Sequence, residues 1–341
     1  MKKIRCPYCL ELVQPRRGKI KNRNVYTCPN KECKEEIHRD YVEKGNIPKM
    51  TMGLVGFTGH GKTCYLTSLF YLFKYLRSEK GMFLWDALDG NTEDIMFKHV
   101  EKFVKDSQLP KSTPENFPKP ALICISDIPF FGDYFSRFYD TAGRVYEEAE
   151  KITDMGRFVA YCEIVFFVIS IKDCGKDWKE IANKMERLLD IYWRGVYDKL
   201  HIDLKDNQHL IVVLTKADEV REIPDELKKF LEEGSYDWYL PKNPQSEKGF
   251  VRYKLRLLQE KSMIIKKWLE EKKCKGFTNL AQKRFKSVEY TIVSSLGASP
   301  VGGMLAKRLE PEDPKRVLDP FLLALKKTRP KGIWEKIFGG D

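Results

Sequence analysis

The stretch Gly56-Phe57-Thr58-Gly59-His60-Gly61-Lys62-Thr63 constrains this chain more than any other. It fits the pattern G-x-x-x-x-G-K-[ST] with no mismatch. The apolar run Met52-Gly53-Leu54-Val55 precedes it and reads as a buried strand. Leu66, Leu69, Phe70 and Phe73 follow on a helical stripe. Strand, glycine loop and helix are the context this motif requires. Glycines let the backbone wrap close to phosphate oxygens, with N–H groups pointing inward, and the helix N-terminus adds partial positive charge. Gly56, Thr58, Gly59, His60, Gly61 and Cys64 are the expected phosphate-side residues. Lys62 would reach the β/γ-phosphates, and the Thr63 hydroxyl would ligate Mg²⁺.

The chain has 341 residues, 42% of them apolar, enough for one large domain or two. Its formal net charge of +12 suggests an acidic partner without naming one. The excess is local. Residues 1–49 hold 13 Lys/Arg against 6 Asp/Glu, and residues 247–286 hold 13 against 4. There are nine cysteines, four of them in two tight N-terminal pairs. That usage suits a reducing compartment and a metal site, not a disulfide framework. Neither a signal peptide nor an apolar run long enough to cross a membrane is visible, so a cytoplasmic protein is expected.

Residues 1–44 read as a separate module. Cys6-Pro7-Tyr8-Cys9 and Cys28-Pro29-Asn30-Lys31-Glu32-Cys33 are separated by a spacer of hairpin length. Cys6, Cys9, Cys28 and Cys33 would supply four thiolates to a tetrahedral Zn²⁺. So small a unit needs the metal to fold. His38, five residues past Cys33, is a spare candidate ligand, and an exposed histidine is the plainer reading. The pattern resembles a zinc ribbon. Its basic residues, Arg16, Arg17 and Lys19 among them, could contact nucleic-acid phosphates or form a solvated face.

A linker leads into the main domain, expected over residues 49–330. Residues 78–120 show no clear strand, only a possible helix from Thr92 to Val104, and then irregular chain. Ala121–Ser126 and Tyr134–Tyr139 read as a hairpin ending in Asp140-Thr141-Ala142-Gly143. A carboxylate there supports Mg²⁺, and the Gly143 N–H can touch a γ-phosphate. Val145–Tyr161 reads as helix, Ile164–Ser170 as a strand covered on both faces, and Trp178–Leu200 as helix. The strand Leu210–Leu214 runs into Thr215-Lys216-Ala217-Asp218. The Asp218 carboxylate could accept N1–H and N2–H₂ of guanine, a donor pair that adenine lacks. Lys216 would lie along the base. Residues 236–286 read as a helical basic insertion. Strand Val288–Val293 leads to Ser294-Ser295-Leu296, whose backbone suits the guanine, and a closing helix spans Val317–Lys327. The short aromatic tail, 331–341, could dock on the body or a partner.

Gly56–Thr63, Asp140–Gly143, Thr215–Asp218 and Ser294–Leu296 resemble, in order and setting, the motifs of Ras-like and translation-factor GTPases, the TRAFAC class. The resemblance implies an α/β P-loop fold: a six-stranded, mostly parallel sheet with one antiparallel edge hairpin and helices on both faces. It implies binding of GTP/GDP with Mg²⁺ and a switch that engages a protein effector or regulator. It also implies a switch threonine that ligates Mg²⁺. Thr113 is best placed, with Ser112 and Thr92 as fallbacks. Many such GTPases have Gln after the D-x-x-G glycine to orient water. Arg144 stands there, so slow hydrolysis is expected, with His60 or Arg144 as substitutes. A zinc ribbon ahead of such a domain is similar to a group of bacterial GTPases assigned to signalling or conflict systems. The alternative is a nucleic-acid-binding module using the basic ribbon and the basic helix, with an accessory nucleotide domain.

Overall fold

The computed structural model describes residues 3–20, 23–110, 113, 118–128, 131–154, 156–220, 222–240, 247–302, 304–305 and 307–329. Ser112 and the tail 331–341 lie outside the described residues.

A mostly parallel sheet of seven strands forms the centre. The strands are β1 (Lys49–Val55), β2 (Leu84–Ala87), β3 (Ala121–Ile128), β4 (Gly132–Tyr139), β5 (Ile164–Ser170), β6 (His209–Thr215) and β7 (Ser287–Ile292). Their order across the sheet is β7-β6-β5-β1-β4-β3-β2. The five strands from β7 to β4 run parallel, and β3 and β2 continue antiparallel. The count corrects the expected six. Leu84–Ala87 pairs with β3 as an added edge strand inside a stretch read as strandless.

Continuous apolar runs put β5 and β6 in the middle, where both faces must be covered. All of Ile164–Ser170 is buried. The helix α1 (Lys62–Lys80) follows β1 and buries Leu66, Leu69, Phe70 and Phe73. The helices α2 (Trp178–Trp193), α3 (Asp225–Glu232), α4 (Glu247–Leu269), α5 (Lys275–Arg284) and α6 (Asp319–Thr328) complete the layers. Asp177 starts α2 by accepting from the Lys179 and Glu180 N–H groups, an N-cap. Val145–Tyr161 is not one helix, as the sequence suggested. It breaks into 3₁₀ turns at Gly143–Tyr146 and Arg157–Tyr161 around a short helix, Ala149–Asp154. At Gly156 an added Cβ would lie 3.0 Å from the Val145 side chain and 3.2 Å from the Ile152 Cα, a tight fit.

The chain builds β2–β4 on one side of β1 and then β5–β7 on the other. The order therefore reverses beside β1. Crevices at such a reversal, outside the carboxyl ends of parallel strands, are where open α/β sheets bind ligands. The four sequence motifs all leave the sheet at those ends.

Each edge strand receives a side-chain hydrogen bond or donates one to a neighbouring helix. On β7 the Tyr290 N–H donates to Ser262 Oγ of α4 at 2.8 Å. On β2 the Arg77 guanidinium donates to the Trp85 carbonyl at 2.6 Å. Among the described residues no helix is long and apolar enough to cross a membrane.

Candidate functional site

Loop 56–61 turns from β1 into α1 on a glycine. Gly61 caps α1 with φ +83°, a left-handed conformation that costs a glycine little. The loop carries a lysine back over itself: Lys62 Nζ donates to the carbonyls of Gly56 at 2.8 Å and Phe57 at 3.2 Å. Burial holds the Lys62 ammonium down at about 8, with Asp140 acting the other way. A buried cation satisfied only by neutral carbonyls is a site in want of an anion.

Three oxygens meet at the start of α1. Thr63 Oγ1 donates to Asp140 Oδ2 at 2.8 Å, and Thr113 Oγ1 donates to the same oxygen at 3.1 Å. The two hydroxyl oxygens are 3.1 Å apart. Burial raises the Asp140 carboxyl, and Lys62 and the two hydroxyls offset part of the rise. Its Oδ1 is buried without a hydrogen-bond partner. Two hydroxyls and a carboxylate form the hard-oxygen set that suits Mg²⁺. Thr92, a fallback for Thr113, lies elsewhere: its hydroxyl accepts from the Leu122 N–H of β3.

Gly143 locks the next motif to the loop. A Cβ there would lie 2.1 Å from the Thr58 nitrogen and 2.4 Å from the Phe57 carbonyl carbon, both backbone atoms. Only glycine allows that approach. Arg144, beside it, is exposed on the cavity wall.

The third motif is tied to the first. Thr215 Oγ1 donates to the His60 carbonyl at 2.7 Å. Lys216 Nζ donates to the Gly59 carbonyl at 3.2 Å and pairs with Asp173 Oδ2 at 2.6 Å. Ser170 Oγ donates to the same Asp173 oxygen at 2.6 Å. Asp218 follows in an exposed turn on the cavity wall. The fourth motif is anchored twice. Ser68 Oγ donates to the Ser295 carbonyl at 2.8 Å, and Ser294 exchanges two backbone hydrogen bonds with Lys315.

These elements enclose a cavity of about 670 Å³, the size of small-molecule sites. Thr58, Gly59, Gly61, Lys62, Thr63, Cys64, Thr113, Gly143, Arg144, Thr215, Lys216, Asp218, Ser294, Ser295 and Leu296 line it. Gly56, His60 and Asp140 stand behind its wall. His60 is buried, packs edge-on against Phe57, and is held neutral because burial pushes its pKa down to about 4. Cys64 is half-buried, and burial raises its thiol to about 11. Sequence reasoning did not find the apolar wall of Leu109, Pro110, Ala298 and Pro300, nor Asp173. The one available signal for Asp173 was its place just past the buried strand β5.

The second site is the cysteine cluster. The sulfurs of Cys6, Cys9, Cys28 and Cys33 all lie within 4.8 Å of one another. Cys6 and Cys33 sulfurs are 3.9 Å apart, and Cys9 and Cys28 sulfurs 3.7 Å. A tetrahedron with Zn–S bonds near 2.3 Å has edges of about 3.8 Å, so the four thiols could hold a metal ion such as zinc. Burial raises the Cys33 thiol to about 12 and the Cys6 thiol further. His38 is no ligand. Its Nδ1 accepts from the Asp40 N–H and caps the short helix Arg39–Glu43.

The module packs on the sheet through the first cysteine pair. The Tyr139 hydroxyl donates to the Pro7 carbonyl, and the Tyr8 hydroxyl donates to Asp89 Oδ2 at 2.7 Å. Cys6, Tyr41, Leu88, Leu122 and Phe135 share one apolar cluster.

Comparison with models of known protein families gives no match, and comparison with curated protein sequences gives none.

Proposed function

We propose that this chain is a guanine-nucleotide switch of the P-loop class, which binds GTP and GDP with Mg²⁺ and hydrolyses GTP slowly. One observation carries the reading. Thr63, Thr113 and Asp140 converge beside a buried lysine, at a cavity that also bears Asp218 and Ser295. Lys62 would leave the loop carbonyls for β/γ-phosphate oxygens, joined by the N–H groups of loop 56–61. Thr63, Thr113 and Asp140 would hold Mg²⁺, which when bound neutralises phosphate charge. Asp218 would accept from guanine N1–H and N2–H₂, and Lys216, steadied by Asp173, would lie along the base. The backbone of Ser294–Leu296 would back the ring. A zinc ion on the four cysteines would contribute folding energy to the N-terminal module.

Arg144 occupies the position where a glutamine would orient water, so slow turnover without a partner is expected. Between the two candidate substitutes we assign charge stabilisation to Arg144, because it lines the cavity and His60 does not. Thr113 is the contact through which a γ-phosphate would order its loop for a protein effector.

Isothermal titration with GDP and ADP in Mg²⁺ tests the reading. GDP should bind far more tightly, and Asp218→Asn should shift preference toward xanthine nucleotides. Equal affinity for the two, or tighter ADP binding, would sink the guanine assignment; no binding of either would sink the nucleotide reading itself.

A further inference from the structure

The positive charge of this chain sits in two stretches that look alike in sequence and differ in the fold. Along α4 and the turn after it, five of the cations pair with carboxylates. Arg256 meets Glu260 at 3.6 Å, Lys261 meets Glu226 at 2.5 Å, and Lys266 meets Glu270 at 3.2 Å. Lys267 meets Glu271 at 3.8 Å, and Lys272 meets Glu222 at 2.5 Å. Those pairs cancel much of the face's field beyond a Debye length.

The N-terminal module is different. Its strand Arg16–Ile20 pairs antiparallel with Arg23–Thr27. Arg16, Arg17 and Lys19 are all exposed, on both faces of the ribbon, and their charged groups make no hydrogen bond or ion pair among the described residues, although the Arg17 charge is one of those that hold the Glu43 carboxyl down. Three of the module's six carboxylates are engaged by other groups. Glu43 is held by Arg39 at 2.7 Å and by the Tyr26 hydroxyl, Asp40 by Lys44, and Glu35 by Lys119. By register, Glu36 lies two strands away from Arg16.

Spacing and chemistry narrow the partner. Arg17 and Lys19 point to the same face about 6.7 Å apart along the strand, close to the axial rise of two nucleotides, about 3.4 Å each. Tyr26, opposite Arg17, is buried and spends its hydroxyl on Glu43. The described ribbon residues therefore offer charge with no exposed aromatic platform. Protein interface cores favour aromatics, and amphipathic membrane-surface elements add an apolar face to their charge; the described ribbon residues show neither. A two-stranded ribbon is, by contrast, one of the elements that the major groove of a duplex admits.

We propose that this basic ribbon is a nucleic-acid contact, with Arg16, Arg17 and Lys19 gripping backbone phosphates without reading sequence. It is independent of the nucleotide cavity and of the reading given to it. Three phosphate contacts imply weak binding, with a Kd in roughly the 10⁻⁴–10⁻⁶ M range at physiological salt. The slope of log K against log salt should be about −3 on duplex DNA.

The test is fluorescence anisotropy of the full chain with a short labelled DNA duplex, single-stranded RNA and duplex RNA across a salt series. Each single alanine at Arg16, Arg17 or Lys19 should reduce the slope by about one. The triple alanine variant should lose binding while keeping its metal content and melting temperature. Arg16→Lys with Arg17→Lys should retain binding, because charge is what acts. Alanines at Arg256 and Lys267 should change nothing. The proposal is overturned by a salt-independent signal, by a triple variant that binds as well as the native chain, or by loss of binding on the α4 alanines. It is equally overturned if the chain captures only acidic peptides or anionic vesicles.

Discussion

Gly143 stands so close to the phosphate loop that one added carbon must displace backbone. Gly143→Ala puts Cβ 2.1 Å from the Thr58 nitrogen. The expected cost is about 1–3 kcal/mol of stability, as for other overpacked sites. It should appear as a lower urea midpoint together with loss of ligand binding in the cavity. An unchanged midpoint would mean that Gly143 is not wedged there. Asp319 gives a pH test. It is buried, accepts from the Tyr239 hydroxyl at 2.6 Å, and burial lifts its carboxyl from 3.8 to about 6, against the pull of Arg316. A folded pKa above the unfolded one contributes stability that is full below pH 3.8 and is lost as pH rises through 6. Asp319→Asn keeps the acceptor and carries no charge. It should outlast the native chain in thermal melts above pH 6 and lose that margin toward pH 4; parallel curves would refute the assignment. At this scale the sequence was most informative where chemistry needs a fixed residue type. Thr113 was named from its distance ahead of Asp140, and the fold brings the two side chains to 3.1 Å. Asp173 escaped because a carboxylate that steadies a lysine has no motif of its own.

Short elements held by tertiary contact were hardest to read. Leu84–Ala87 has four residues and no period, and it is a strand because β3 offers a partner, with Arg77 donating to its Trp85 carbonyl. Val145–Tyr161 had helical composition, yet Gly143 must approach the loop and the chain turns in 3₁₀ steps instead. Long buried runs such as Ile164–Ser170 were plain, since only a covered central strand accommodates them. The β7 edge allows a measurement. Ser262→Ala leaves the Tyr290 N–H buried without an acceptor, at a cost of about 1–3 kcal/mol. Urea unfolding should register that loss, and no change would imply that another acceptor takes over.

Across the whole molecule, the cysteine cluster and the cavity were legible as two separate motifs, but nothing in their spacing said that they meet. They do so at the end of β4. Tyr139 is fully buried, its hydroxyl is satisfied by Pro7 between two of the cysteines, and the next residue is Asp140. A metal that fixes the Cys6–Cys9 turn therefore also fixes the anchor of the strand that presents Asp140. On the proposed reading this makes a thermodynamic cycle: if metal tightens nucleotide binding by some factor, nucleotide must tighten metal binding by the same factor. In equilibrium competition with a chelator, zinc should be held more tightly when GDP and Mg²⁺ are saturating, and Tyr139→Phe should erase most of the difference. Equal zinc affinity with or without nucleotide would make the contact a scaffold alone. With the linkage, a cell short of zinc would also be one in which this chain holds its nucleotide less firmly, so that a structural metal acts as a second input to the same output.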